Sequence, residues 1–159
     1  MGEVNVSQML ASRLRSAADQ LERAIEKMPA DKVVWEPEIG GFKGRSALDQ
    51  VLECAYVNGW GASIFKDRNI PPFDSEDYQR EVAKRSSAAE AVAWLTETTA
   101  ALSAAIAAFP ESQWATMTTN PFTQEPQSWA EQADLFYWNM VYHQGQINYI
   151  QTLYGDTTM

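Results

Sequence analysis

Residues 129–154, WAEQADLFYWNMVYHQGQINYIQTLY, decide the fold. Trp129, Ala133, Phe136, Met140, His143, Ile147, Ile150 and Tyr154 recur at alternating spacings of four and three, the period of one face of an α-helix. Ser128 with Glu131 forms a capping box at its start, and Gly155 supplies a left-handed stop. Working outward, the stretch from Asn5 to Met28 repeats the pattern through Leu10, Leu14, Ala17, Leu21, Ala24 and Met28. So does Ser87 to Phe109, through Val92, Leu95, Thr99, Leu102, Ile106 and Phe109, with a Ser87–Glu90 capping box in front and Pro110 behind.

The remaining helical stretch, Ser46 to about Lys66, carries two apolar stripes. Leu48, Leu52, Ala55, Gly59 and Ala62 lie on one side, and Ala47, Val51, Cys54, Gly61 and Phe65 on another, which predicts the most enclosed helix of the set. Strand signals are almost absent, because no stretch of useful length alternates apolar and polar residues. The expected class is all-α: a four-helix bundle with long inter-helix connections, its seams packing at crossings of about 20°.

Those connections, residues 28–45, 66–86 and 110–127, exceed the roughly two to eight residues usual in bundles and signal crossovers, lids or short extra helices. A helical turn is expected within Asp74 to Lys84. Gly40, Gly41 and Gly44, Pro71-Pro72, and Asn120-Pro121 with Pro126 mark turns.

Length and composition narrow the function classes. At 159 residues the expectation is one domain spanning 1–159. A formal net charge of −9 opposes attraction to phosphate backbones and anionic lipid, so nucleic-acid and membrane partners are not expected. An apolar share of 45% with six Trp, six Tyr and six Phe is too rich in core-forming side chains for a disordered chain. The single cysteine, Cys54, excludes an intrachain disulfide framework, and with no signal-type segment the expected compartment is the cytoplasm.

His143 is the most informative residue, a lone histidine on an otherwise apolar stripe. Burying an imidazole with an unpaired nitrogen costs about 1–3 kcal/mol, so His143 needs a partner: Asn139 one turn earlier, Tyr142, Gln146, a carbonyl, or a metal. Cys54 on the second long helix would complete a soft half-site for zinc or nickel if the two helices are neighbours at matching height. As a free cysteine it also reads as a small buried hydrophobe. Glu53 and Asp49 offer carboxylate ligands, although among twenty-one acids such groups are more often solvated surface charges.

Several of these residues combine into a pattern. Trp35-Glu36-Pro37 precedes the second long helix, Ser46 opens it, Val51-Leu52-Glu53-Cys54-Ala55 forms its core, and His143-Gln144-Gly145-Gln146-Ile147 lies near the end. Together with the long connections this resembles the DinB-like family across nearly the whole chain. The resemblance implies a four-helix bundle, often dimeric, holding a divalent metal with three histidines, one from helix two and two from helix four at H-x-x-x-H spacing. Some members are thiol-dependent transferases or isomerases. The three ligand positions fall on Cys54, Asn139 and His143, so only His143 matches the family pattern, and a zinc or nickel ion is expected to bind weakly or not at all. Two functions follow as expectations: a metal-dependent thiol S-transferase-like enzyme acting on a low-molecular-weight thiol, or a non-catalytic, small-ligand-binding or structural homodimeric member that has lost the metal centre.

Overall fold

The computed structural model describes residues 5–158. In chain order its elements are helix α1 (Val6–Glu26), the single turn α2 (Ala30–Val33), strands β1 (Glu38–Ile39) and β2 (Phe42–Lys43), and helices α3 (Ala47–Asp67), α4 (Ser75–Val82) and α5 (Ala88–Ala107). A 3-10 turn (Glu111–Gln113), strands β3 (Met117–Thr119) and β4 (Pro126–Ser128), and helix α6 (Trp129–Leu153) complete it. The four expected long helices are α1, α3, α5 and α6, and the turn expected within Asp74 to Lys84 is the two-turn helix α4.

The packing order explains the long connections. Helices α1 and α3 each pack on both α5 and α6. The pairs that follow one another among the long helices, α1 with α3 and α5 with α6, therefore face each other across the diagonals of the bundle. A tight loop joins only adjacent antiparallel helices, so these two links must run across the bundle end. The connection between the adjacent α3 and α5 is long for another reason: it carries α4.

The expectation of almost no strand is corrected at two places. β1 and β2 pair antiparallel around Gly40 and Gly41, whose φ angles of 61° and 83° suit the two-residue hairpin turn that glycine favours. β3 and β4 pair antiparallel in the third connection, with Thr118 opposite Gln127. Ladders of two or three residues are too short to write an alternating pattern.

The helix ends follow their capping chemistry. Ser46–Asp49, Ser87–Glu90 and Ser128–Glu131 all form reciprocal capping boxes. At the start of α1 the Asn5 side chain accepts from the Gln8 N–H at 2.7 Å. The Glu111 carboxylate, more than a hundred residues away, accepts from the Val6 and Ser7 N–H groups at 3.2 and 2.9 Å. The Trp114 indole donates to Ser7 Oγ at 2.9 Å, and Ser7 Oγ donates to the Phe109 carbonyl at 3.1 Å, fastening α1 to the end of α5.

The core stripes bury as read, except that Gly59, Ala62, Val92 and Tyr154 sit at the margin, partly exposed. On α3 the stripe from Ala47 to Phe65 is buried throughout, and the stripe that starts at Leu48 is buried as far as Ala55. Its approach to α6 is close at Gly61, where an added Cβ would lie 2.5 Å from the Phe136 ring. Any larger residue there would push the ring aside. This seam between α3 and α6 carries the candidate site.

Candidate functional site

The seam sets Asn139 of α6 against Cys54 of α3, and His143 of α6 against Gln50 and Glu53 of α3. Cys54 is fully buried, and complete burial, reinforced by the charge of Glu53, pushes its thiol well above the ordinary value. Asn139 does not partner His143. Its Nδ2 donates to Cys54 Sγ at 3.7 Å.

His143 is buried at 3% exposure and finds its partners elsewhere. Nε2 lies 3.0 Å from Glu53 Oε1, and Nδ1 faces the side-chain amide oxygens of Gln50 and, at 2.8 Å, Gln146. A carboxylate only accepts, so Nε2 carries a proton and donates it to Glu53. Glu53 in turn accepts from Arg45 through its other oxygen, while Arg45 also donates to the Asp49 carbonyl at 2.9 Å. Burial pushes the Glu53 carboxyl up, but the His143 hydrogen bond and the Arg45 guanidinium outweigh it and hold it below the ordinary value of 4.5.

Two sequence readings are corrected here. Glu53 is not a solvated surface charge; it is the centre of a buried-edge network linking α3, α6 and Arg45. Asp49 is no ligand, because its carboxylate closes the cap of α3, accepting from the Ser46 N–H at 3.0 Å and the Ser46 hydroxyl at 2.7 Å. Gln50 escaped notice altogether. Its signal was the row Gln50, Glu53, Val57 and Trp60 on α3, at spacings of three, four and three, which faces the row Gln132, Phe136, Asn139, His143 and Gln146 on α6.

The donor set does not suit a metal. A three-ligand centre needs three lone pairs converging on one ion at about 2.0–2.3 Å. Here burial disfavours the Cys54 thiolate, Asn139 turns its N–H rather than its oxygen toward the sulfur, and both His143 nitrogens already have side-chain partners. Among the described residues no three His, Cys, Asp or Glu side chains come together in a way that holds an ion.

Beside this network lies a cavity of about 350 Å³, within the range of small-molecule sites. Glu53 and Asn139 border it, and its walls are aromatic: Trp60, Phe73, Tyr78, Phe122, Phe136 and Trp138. The long connections supply half of those walls. Phe73 precedes α4 and Tyr78 lies on it, and both stack edge-on against Tyr56, whose hydroxyl donates to Asp77 Oδ2 at 3.0 Å and pins α4 to α3. Phe122 comes from the β3–β4 loop, where Asn120 Oδ1 accepts from the Phe122 and Thr123 N–H groups.

Comparison with known proteins agrees with this architecture. A solved structure of YfiT from Bacillus subtilis, described as "a probable metal-dependent hydrolase with an unusual four-helix bundle topology", superposes with a TM-score of 0.77 at 17% identity, covering 98% of this chain and 92% of that one. At that identity the likeness is one of fold. No curated protein matches the sequence. The family profile described as DinB superfamily matches residues 13–147, from α1 to the far end of α6 and across the whole site, and the chain belongs to the DinB superfamily.

Proposed function

We propose that this chain is a small-molecule-binding member of its superfamily whose pocket works without a metal centre. The observation that carries the reading is the aromatic cavity bordered by Glu53 and Asn139, built beside a polar network that leaves no three-ligand set. A metal-dependent thiol S-transferase, or a hydrolase of the kind YfiT is described as, would need an ion-bound thiol or water. The burial that disfavours a Cys54 thiolate and the Asn139 N–H turned toward its sulfur oppose that in this chain.

The test is a thermal-shift screen of chemically diverse small molecules in the presence of chelator, followed by calorimetry. Expected are ligands that bind one per chain and are lost in Val57→Phe, which fills the cavity from α3. Ligands that bind only after zinc or nickel is added, or none at all, would overturn the reading.

A homodimer is compatible with this and has its own support. The outer face of α6 exposes Val141, Tyr142, Tyr149 and Leu153, and Phe42 of β2 stands exposed beside them along an open groove. We place the dimer contact there, in a cytoplasmic protein. Light scattering behind size exclusion should give a dimer that Tyr149→Glu converts to monomer; a monomeric wild type would remove it.

A further inference from the structure

The far end of the same cavity holds a chain of amides whose direction is fixed by the backbone. Asn120 Oδ1 accepts from two main-chain N–H groups, Phe122 at 2.9 Å and Thr123 at 3.0 Å, so its Nδ2 must point outward. That Nδ2 donates to Gln127 Oε1 at 2.9 Å, and Gln127 Nε2 donates in turn to Gln132 Oε1. Gln132, fully buried and lining the cavity, is left with its Nε2 donors unpartnered among the described residues. Trp60, in the same wall, likewise has a buried indole N–H with no acceptor. Buried donors without partners are rare in folded proteins; these two belong to residues of one cavity wall but have no open surface, so an acceptor atom in the cavity meets them when the Gln132 amide and the Trp60 ring turn toward it.

The opposite end has the reverse polarity. Glu53 is an acceptor, and although His143 and Arg45 each take one of its oxygens, a carboxylate has about four lone-pair sites. Glu53 and Trp60 stand seven residues apart on α3, roughly 10 Å of helix rise. Between them the walls are aromatic faces, which attract cations and exclude water. Among the described residues no lysine or arginine lines the cavity; Arg45, which pairs with one Glu53 oxygen, lies outside it, so a positive group inside the cavity meets only the carboxylate.

We infer that the cavity recognises a small aromatic amine carrying a neutral carbonyl-type oxygen at its other end, the ammonium lying at Glu53 and the oxygen at Gln132 and Trp60. This rests on the binding reading above and adds the ligand class and its orientation.

The test uses three probes of one shape with the full-length protein in chelator: para-acetylphenethylamine, phenethylamine, and para-acetylphenylpropionate. Affinity is read from tryptophan fluorescence, since Trp60 and Trp138 line the cavity. The acetylated amine should bind about tenfold more tightly than either of the others, the scale of one buried hydrogen bond or one charge pairing. Gln132→Leu should erase the advantage of the acetyl group and keep that of the amine, and Glu53→Gln should do the converse. Propionate binding as tight as that of the amine would overturn the ligand class and leave the pocket standing. Equal binding of the two amines would show that the Gln132 and Trp60 donors are satisfied by water, and would overturn the orientation. Failure of all three probes while the diverse screen yields one-per-chain ligands would refute the class alone; failure of both refutes the pocket.

Discussion

Replacing His143 with leucine probes the network it forms with Glu53, Gln50 and Gln146. A leucine fits the apolar stripe of α6, so a histidine without strong partners would be exchanged at little cost. The observed partners predict otherwise. His143→Leu leaves the buried Gln50 amide facing hydrocarbon, at about 1–3 kcal/mol, and removes a charge-assisted hydrogen bond to Glu53, typically about 1.5–3 kcal/mol. The Glu53 side chain keeps 26% of its surface exposed and retains Arg45, so the lower part of the second range applies. Burial of the leucine returns about 1 kcal/mol. The net loss is about 1.5–4 kcal/mol, which in a chain of this size lowers Tm by roughly 3–16 °C. Gln50→Leu alone should cost less, since Gln146 still partners Nδ1. The double variant Gln50→Leu/His143→Leu should be about 1–2 kcal/mol more stable than the sum of the singles, because the orphaned amide disappears with its cause. Urea denaturation followed by circular dichroism measures all four proteins. A His143→Leu variant as stable as wild type, or additivity within about 0.5 kcal/mol, would refute the network.

Three further outcomes follow from the same geometry. Glu53 is held ionised below its ordinary value in the folded chain, so near and below pH 4.5 the unfolded state binds more protons; its contribution is complete above that range and is lost as pH falls through the folded value. The stability difference between wild type and Glu53→Gln should therefore shrink on acidification, and a difference that is flat across this window would contradict it. Cys54 should resist an aromatic disulfide reagent in the native state and react fully in denaturant, whereas rapid native labelling would mean that its burial is wrong. Among the helix glycines, Gly145→Ala has open space and should stabilise by up to about 1 kcal/mol, while Gly61→Ala drives a Cβ into the Phe136 ring and should destabilise despite the same gain in helix propensity; melting the two side by side checks the sign.

The bundle was legible because helical periodicity is written over twenty or more residues and repeated in four stretches. The order of packing was not, since a stripe says which face is buried and nothing about which helix covers it. Only the lengths of the links hinted at crossings. At the site, His143 stood out because one imidazole interrupts an apolar row, and its need for a partner followed from desolvation. Which partner it takes depends on the register between α3 and α6, a fact of packing, with Gly61 close against Phe136, that has no local signature. Gln50 and Gln132 were hidden for the opposite reason: a buried glutamine looks like any surface glutamine until its neighbours are known. Glu53 was weighed as a ligand or a solvated charge, and its actual place between His143 and Arg45 required a long-range contact that no spacing rule supplies.

The absence of a three-ligand metal centre at Cys54, Asn139 and His143 is tested most directly by calorimetric titration of zinc, and separately nickel, into metal-free wild-type protein. Cys54→His/Asn139→His serves as the positive control, since it places two imidazoles at i and i+4 on α6 and a third on α3. A pocket without a metal centre predicts no one-per-chain binding of sub-micromolar affinity in the wild type, with such binding gained by the double variant. One tightly bound ion per wild-type chain, lost in Cys54→Ala and in His143→Leu, would contradict it.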